Sequence, residues 1–249
     1  MKNLFARYSR EIALFLIAFL TLLFFRFFVS TGIYQDDEIA HYYNMLEFWH
    51  SPVRILNSWA KPGYKILYAP LALVGYDFLT VFNACISALS CVMVFKILRE
   101  IGHEHPFTYS FLCLFQPFFL HVGSRNYSEV PSAFLIVLAI YFLIKEKYAV
   151  FSLITSYLFS LRTELILVCV PAGIFLLIKR KWLPFVLLGT FPLLFALIYY
   201  LAYGTPLYLI KESEEWAQAY KEIYPRRGFF HFIEMAPVVW GIIPSFLFA

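Results

Sequence analysis

The sequence predicts an all-α, polytopic helical membrane protein with about eight spans, some of them short, and a surface helix in the first outer loop. Two observations carry this. Of the 249 residues 61% are hydrophobic and only 14% are charged, against about 25% charged in soluble domains. The apolar residues also form long blocks with the charges confined to the gaps, which is the pattern of membrane spans rather than of amphipathic surface helices. Aromatics make up 21%, and many Tyr and Trp lie near block ends, as interfacial belts do.

The first block, residues 12–33, follows Lys2, Arg7 and Arg10. No small-residue cleavage site follows it and it is longer than a signal-peptide core, so it reads as an uncleaved first span. A polar excursion, 34–65, leads to a short apolar segment, 66–75, and a second span, 78–98. Blocks 107–122 and 130–144 flank a small polar loop, 123–129. The block 149–178 is too long for one crossing, carries Arg162-Thr163-Glu164 near its middle and has basic residues at both ends. It reads as a hairpin of two short helices with that triplet at the tip. A span over 184–203 and a polar stretch, 204–228, lead to a last apolar block, 229–249. The whole reads as a single transmembrane domain. Its end inside an apolar block leads us to expect a fragment of a longer protein.

Placing the N-terminus in the cytoplasm puts the clusters Lys2/Arg7/Arg10, Lys96/Arg99, Lys145/Lys147 and Lys179/Arg180/Lys181 all inside, as the positive-inside rule asks. The loops 34–65, 123–129, 162–164 and 204–228 then lie outside. The formal net charge of +4 averages over two faces. No basic stretch interleaved with aromatics in a polar context is present, so a nucleic-acid partner is not expected. The four cysteines, Cys85, Cys91, Cys113 and Cys169, fall in apolar blocks and read as small hydrophobes. No Cys/His spacing of the metal-binding type occurs.

Three groups of residues could carry chemistry, and all fall on the outer side. Gln35-Asp36-Asp37-Glu38 starts an amphipathic helix. Ile39, Tyr42, Tyr43, Leu46 and Trp49 mark its expected apolar face, and Asp37, His41 and Asn44 its polar one. Acids belong in a first helical turn, and Asp36 suits an N-cap. Three in succession exceed what a cap needs. Their mutual repulsion raises the proton affinity of at least one of them, which suits a general base. Asp36, Asp37, Glu38 and His41 could also hold a divalent cation. The second group is Ser124-Arg125-Asn126-Tyr127-Ser128-Glu129, and the third is Arg162-Thr163-Glu164. Arginine at that depth needs a carboxylate, a phosphate or water. Internal Arg125–Glu129 and Arg162–Glu164 pairs are the structural alternative to phosphate binding. Arg26 either snorkels outward or points inward, and Lys61-Pro62-Gly63 adds another outer cation. Arginine matches phosphate bidentately, so the set suits a pocket that holds a phosphate and removes a proton.

These residues, in this order, resemble the C-type glycosyltransferase superfamily, in its mannosyltransferase-like branch. Asp-Glu at the start of a helix after the first span is similar to that family's first-loop motif. Lys61-Pro62-Gly63-Tyr64 looks like its His-Pro-Pro-Leu element, Ser124-Arg125 its second-loop segment, and Tyr203-Gly204-Thr205-Pro206-Leu207 a later Tyr-Gly-x-Pro turn. The resemblance implies a multi-pass enzyme of the plasma, inner or endoplasmic reticulum membrane. It would move a sugar, with inversion, from a polyprenyl-phosphate-linked donor to an acceptor hydroxyl on the outer face. It maps the family's aspartate to Asp37 and its glutamate to Glu38. Asp36 replaces a proline and remains the alternative base. Arg125, Arg162 and Lys61 would hold the donor phosphate, with Glu129 a second acid and His41 in the pocket. A non-catalytic subunit of the same architecture is the alternative. A transporter would need related halves, and no clear repeat is present.

Overall fold

In a computed structural model of the protein, residues 2–56, 61–219 and 230 are described, and among them the structure is entirely helical. The last expected span and part of the loop 204–228 lie outside the described residues. Among the described residues, three helical stretches are long and apolar enough to cross a membrane: Tyr8–Val29, Tyr76–Glu100 and Trp182–Tyr203. The apolar helices Glu129–Ile144, Tyr148–Leu161 and Thr163–Ile178 are shorter.

Helix α1 (Lys2–Phe24) continues into a π-helical turn, Phe25–Val29. It packs on α4 (Tyr76–Glu100), and α4 packs in turn on α7 (Glu129–Ile144) and α5 (Pro106–Leu114). Ala18, Ala84 and Ala88 are fully buried at the α1–α4 seam beside Leu14 and Leu22, so small side chains let the two backbones approach. Within the π-helical turn Arg26 points inward, only 6% exposed, and donates to Ser30 O. Of the four cysteines only Cys91 is buried; Cys113 is exposed, contrary to expectation.

The hairpin over 149–178 forms as expected. Helix α8 (Tyr148–Leu161) runs up to Arg162, a 3-10 turn spans Thr163–Val168, and α9 (Cys169–Ile178) returns. Helix α8 is the hub of this side of the molecule, meeting α7, α10 (Trp182–Leu187) and α11 (Thr190–Tyr203). The expected single span over 107–122 is instead two pieces, α5 and α6 (Pro117–Val122). Pro117 cannot continue a helix from α5, and the Gln116 side chain caps the new start at Phe119 N–H.

The polar excursion 34–65 and the segment after it supply α2 (Asp36–Glu47) and α3 (Pro62–Ala72), which pack on each other, α3 also resting on α8. The N-cap of α2 is Gln35, not Asp36, and no side chain caps from that position. Glu38, in the first turn, accepts instead from Tyr34 N–H at 2.9 Å, close to the reach-back of a capping box. The expected polar and apolar faces of α2 are rotated. Glu38, His41 and Met45 are its buried stripe, whereas Tyr43 and Trp49 are 62% and 47% exposed.

Candidate functional site

The buried stripe of α2 meets the loop 123–128, and the first-turn acids part company there. Asp36 and Asp37 are exposed and Glu38 is fully buried. Arg125 Nη1 donates to Glu38 Oε2 at 2.9 Å, with side-chain exposures of 2% and 0%. Every other donor direction of that guanidinium is taken by the chain leaving α1 or by its own loop. Nη2 donates to Ser30 O and Ser30 Oγ, Nη1 also to Gly32 O, and Nε to His121 O. Tyr76 Oη donates to Glu38 Oε1 at 2.5 Å. The pair is therefore dehydrated but fully hydrogen-bonded, the condition under which a buried ion pair is tolerated.

A second layer locks this clamp. Asn126 Nδ2 donates to Glu38 O at 3.1 Å, and Tyr64 Oη donates to Asn126 Oδ1 at 2.6 Å. Asn83 Nδ2 donates to Arg125 O, and Tyr68 Oη to Asn83 Oδ1. These polar residues tie α2, α3, α4 and the loop 123–128 together without water-facing charge.

Asp37 and His41, next to the clamp on α2, belong with a different group of charges. The charge of Asp37 acts on Lys61 and on Lys65, and Lys61 also lies in the field of Glu129, Arg162 and Glu164. Arg162 is ion-paired with Glu129 and, at 2.6 Å, with Glu164. His41 sits beneath this cluster, its ring edge-on to Tyr64 at 5.7 Å and to Tyr127 at 6.5 Å. Two antiparallel helices bring Glu129 and Arg162 to one level, since α7 begins at the first and α8 ends beside the second.

The start of α3 is built for close approach. Its N-cap, Lys61, has φ 53°, the left-handed region, which a side chain adopts only where its surroundings hold it there. Gly63 follows, and a Cβ on it would lie 2.0 Å from Ser160 Oγ. Tyr157 Oη donates to Gly63 O at 2.8 Å. The glycine thus seats α3 directly on the end of α8, next to Arg162.

Burial and charge set the protonation of the cluster. Burial, then the nearby Lys65, Lys61 and Arg162, push the His41 pKa down to about 2, so the ring is neutral. Burial and the like charge of Lys61 lower Lys65 to about 7, against the pull of Asp37. Burial alone would raise Glu129, yet Arg162 and Lys61 outweigh it and hold the carboxyl below its ordinary value. Tyr127 is raised by burial and by the surrounding carboxylates.

The expected residues thus divide into two sets. Asp37, His41, Lys61, Glu129 and Arg162 gather in one charged cluster. Glu38 and Arg125 instead form the clamp, the Arg125–Glu129 pairing does not occur, and Asp36 is exposed outside both sets. Tyr127, from the second group of the sequence, joins the cluster, and Lys65 joins it without having been singled out in the sequence; Lys65 lies four residues after Lys61, which places both on one helical face. No three His, Cys, Asp or Glu side chains come together as metal ligands among the described residues. The oxygens of Glu38 are already engaged by Arg125, Tyr34 and Tyr76. The cluster offers an exposed carboxylate beside several cations, which could take a proton next to a bound anion. No family model matches the chain, and neither a curated protein nor a solved structure does.

Proposed function

We propose that the protein is a multi-pass membrane glycosyltransferase with a cytoplasmic N-terminus, transferring a sugar from a polyprenyl-phosphate-linked donor to an acceptor hydroxyl on the outer face. The observation that carries this reading is that exposed Asp37 acts on Lys61 and Lys65, and that Lys61 also lies in the field of the Arg162–Glu129 pair. Asp37 takes the proton of the acceptor hydroxyl. The acceptor oxygen attacks the anomeric carbon, and the bond from that carbon to the phosphate oxygen breaks on the opposite face, giving inversion. The lipid phosphate leaves with the bonding electrons, its charge met by Lys61, Lys65 and Arg162. On this reading Arg125 positions the first loop rather than holding the donor phosphate, because its donors are already engaged. Glu38 shares that role.

A second reading, a non-catalytic subunit of a glycosylating complex, is favoured by one feature. Arg162 already has carboxylate partners in Glu129 and Glu164, so a phosphate must compete with them. Turnover of a polyprenyl-phosphate hexose by the purified protein decides between the two. Transfer to an alcohol acceptor supports the enzyme; no turnover alone, with co-purification of a transferase, supports the subunit.

A further inference from the structure

A cavity of about 490 Å³ lies between the end of α8, the 3-10 turn after it, α11 and the start of α12 (Tyr208–Ala219). Phe159, Ile166, Pro192, Ala196 and Leu209 give it apolar walls, and Thr163, Tyr199 and Glu214 are its polar lining. That size and make-up are those of a ligand pocket. Leu207, Ile210 and Glu214 also line it and are exposed, so the cavity opens to the surroundings of the protein. Tyr199 is 1% exposed, and its hydroxyl has no hydrogen-bond partner among the described residues. Its ring stacks with Tyr203 and Tyr208, at 6.4 and 5.8 Å between centroids, which holds it in place. A buried hydroxyl in that position calls for an acceptor.

The cavity has a polar and an apolar end. Phe191 N–H donates to Ser156 Oγ at 2.9 Å. Further along both helices Phe159 packs with Phe195 and Tyr199, so α8 and α11 run side by side in the same direction. Thr163 and Tyr199 follow Ser156 and Phe191 by similar numbers of residues. At about 1.5 Å per residue they stand at nearly one level. Pro192, next to Phe191, marks the other end. Thr163 adjoins Arg162, so the polar end lies toward the charged cluster.

We propose that this cavity binds one acyl chain of an ester-linked lipid. The chain runs toward Pro192 and Phe159, and the ester carbonyl accepts from Tyr199 Oη. An isoprenoid or plain alkyl chain brings no carbonyl and leaves that hydroxyl unpaired, which disfavours it. Glu214 disfavours a second carboxylate beside it, so a free fatty acid is the weaker ligand. The inference goes beyond the proposed transfer and does not depend on it.

The test is photolabelling of the purified, detergent-solubilised full chain with a monoacylglycerol that carries a diazirine at the end of its chain. Labelled peptides are mapped by mass spectrometry. Labelling is expected to saturate and to fall on α8 and α11 around Phe159 and Pro192. The matching free fatty acid is expected to need a higher concentration. Tyr199→Phe removes no hydrogen bond within the protein, so it should melt like wild type. It is expected to raise the half-saturating concentration of the ester probe about two- to tenfold, the scale of one hydrogen bond, and to leave the ether-linked analogue unchanged. Ala196→Phe, which fills the cavity, should abolish labelling at this site. Labelling that does not saturate and spreads over all the apolar helices overturns the site. A diazirine-bearing prenol that saturates at the same concentration, with no effect of Tyr199→Phe on either probe, overturns the acyl-ester assignment. Either result leaves the transferase reading standing.

Discussion

Glu38 and Arg125 meet 87 residues apart in the chain as an ion pair of 2.9 Å, with 0% and 2% of their side chains exposed. The pair joins the first turn of α2 to the loop before α7. It thereby sets where Asp37, the residue before Glu38, stands relative to Lys61 and Lys65. Removing one partner strands the other in a dry site, which costs about 3–5 kcal/mol. We expect Arg125→Ala and Glu38→Ala each to lower the thermal midpoint of the detergent-solubilised protein steeply. The double variant Glu38→Leu/Arg125→Met should recover part of the loss, since neither charge is then stranded. Equal loss in the single and double variants would show that the pair is not the stabilising unit.

Gly63 tests how closely α3 must seat on α8. A Cβ there would lie 2.5 Å from Ser160 Cβ and 2.9 Å from the Ser160 carbonyl carbon, and overpacking of this kind costs about 1–3 kcal/mol. Gly63→Ala should destabilise by that amount, and Ser160→Gly in the same chain should restore part of it by removing the nearest atoms. Chemical denaturation of wild type and the two variants measures both effects.

His41 gives a pH signature. The ring stays neutral in the folded protein down to about pH 2, whereas in the unfolded chain it gains a proton below about 6.5. Between those values the unfolded state binds more protons, so stability falls as the pH is lowered. Glu129, also depressed when folded, adds to the loss only below its ordinary carboxylate range. The decline between about pH 6.5 and about pH 5 should therefore be shallower in His41→Gln than in wild type, measured as thermal midpoint against pH. Parallel curves would contradict the neutral buried ring.

Arg162 and Arg125 should separate cleanly. Arg162 is half-buried and lies in the charged cluster, so Arg162→Ala should leave the fold largely intact. It should lower transfer on the order of 10²-fold, the scale for losing one donor to a developing charge. Steady-state kinetics alongside a melting curve reads both quantities.

Much of this arrangement was legible in the sequence. The lengths of the apolar blocks and the position of Arg162-Thr163-Glu164 were enough to predict the hairpin α8–α9 and its tip. The start of α2 at the acidic run followed from the acids themselves, which favour a helix N-terminus. The rotation of α2 was not legible, because it depends on a partner for Glu38 that lies 87 residues away. Periodicity assigns a carboxylate to the wet face, and only the contact with Arg125 turns it inward. The break between α5 and α6 did carry a local signal, Gln116-Pro117, outweighed by the apolar residues on both sides. Lys65 carried a weaker one, its i, i+4 spacing from Lys61. Its burial depends on Gly63 meeting Ser160, which no local pattern reveals.

The central claim is that Asp37, and not the neighbouring Asp36, is the base of a sugar transfer. The most direct measurement compares turnover of a polyprenyl-phosphate hexose by wild type, Asp37→Asn and Asp36→Asn, all purified from membranes and matched for thermal midpoint. The account predicts a loss of about 10²- to 10⁴-fold for Asp37→Asn, the range for general-base catalysis, and near-wild-type turnover for Asp36→Asn. Retained turnover in Asp37→Asn, or a loss confined to Asp36→Asn, would contradict it.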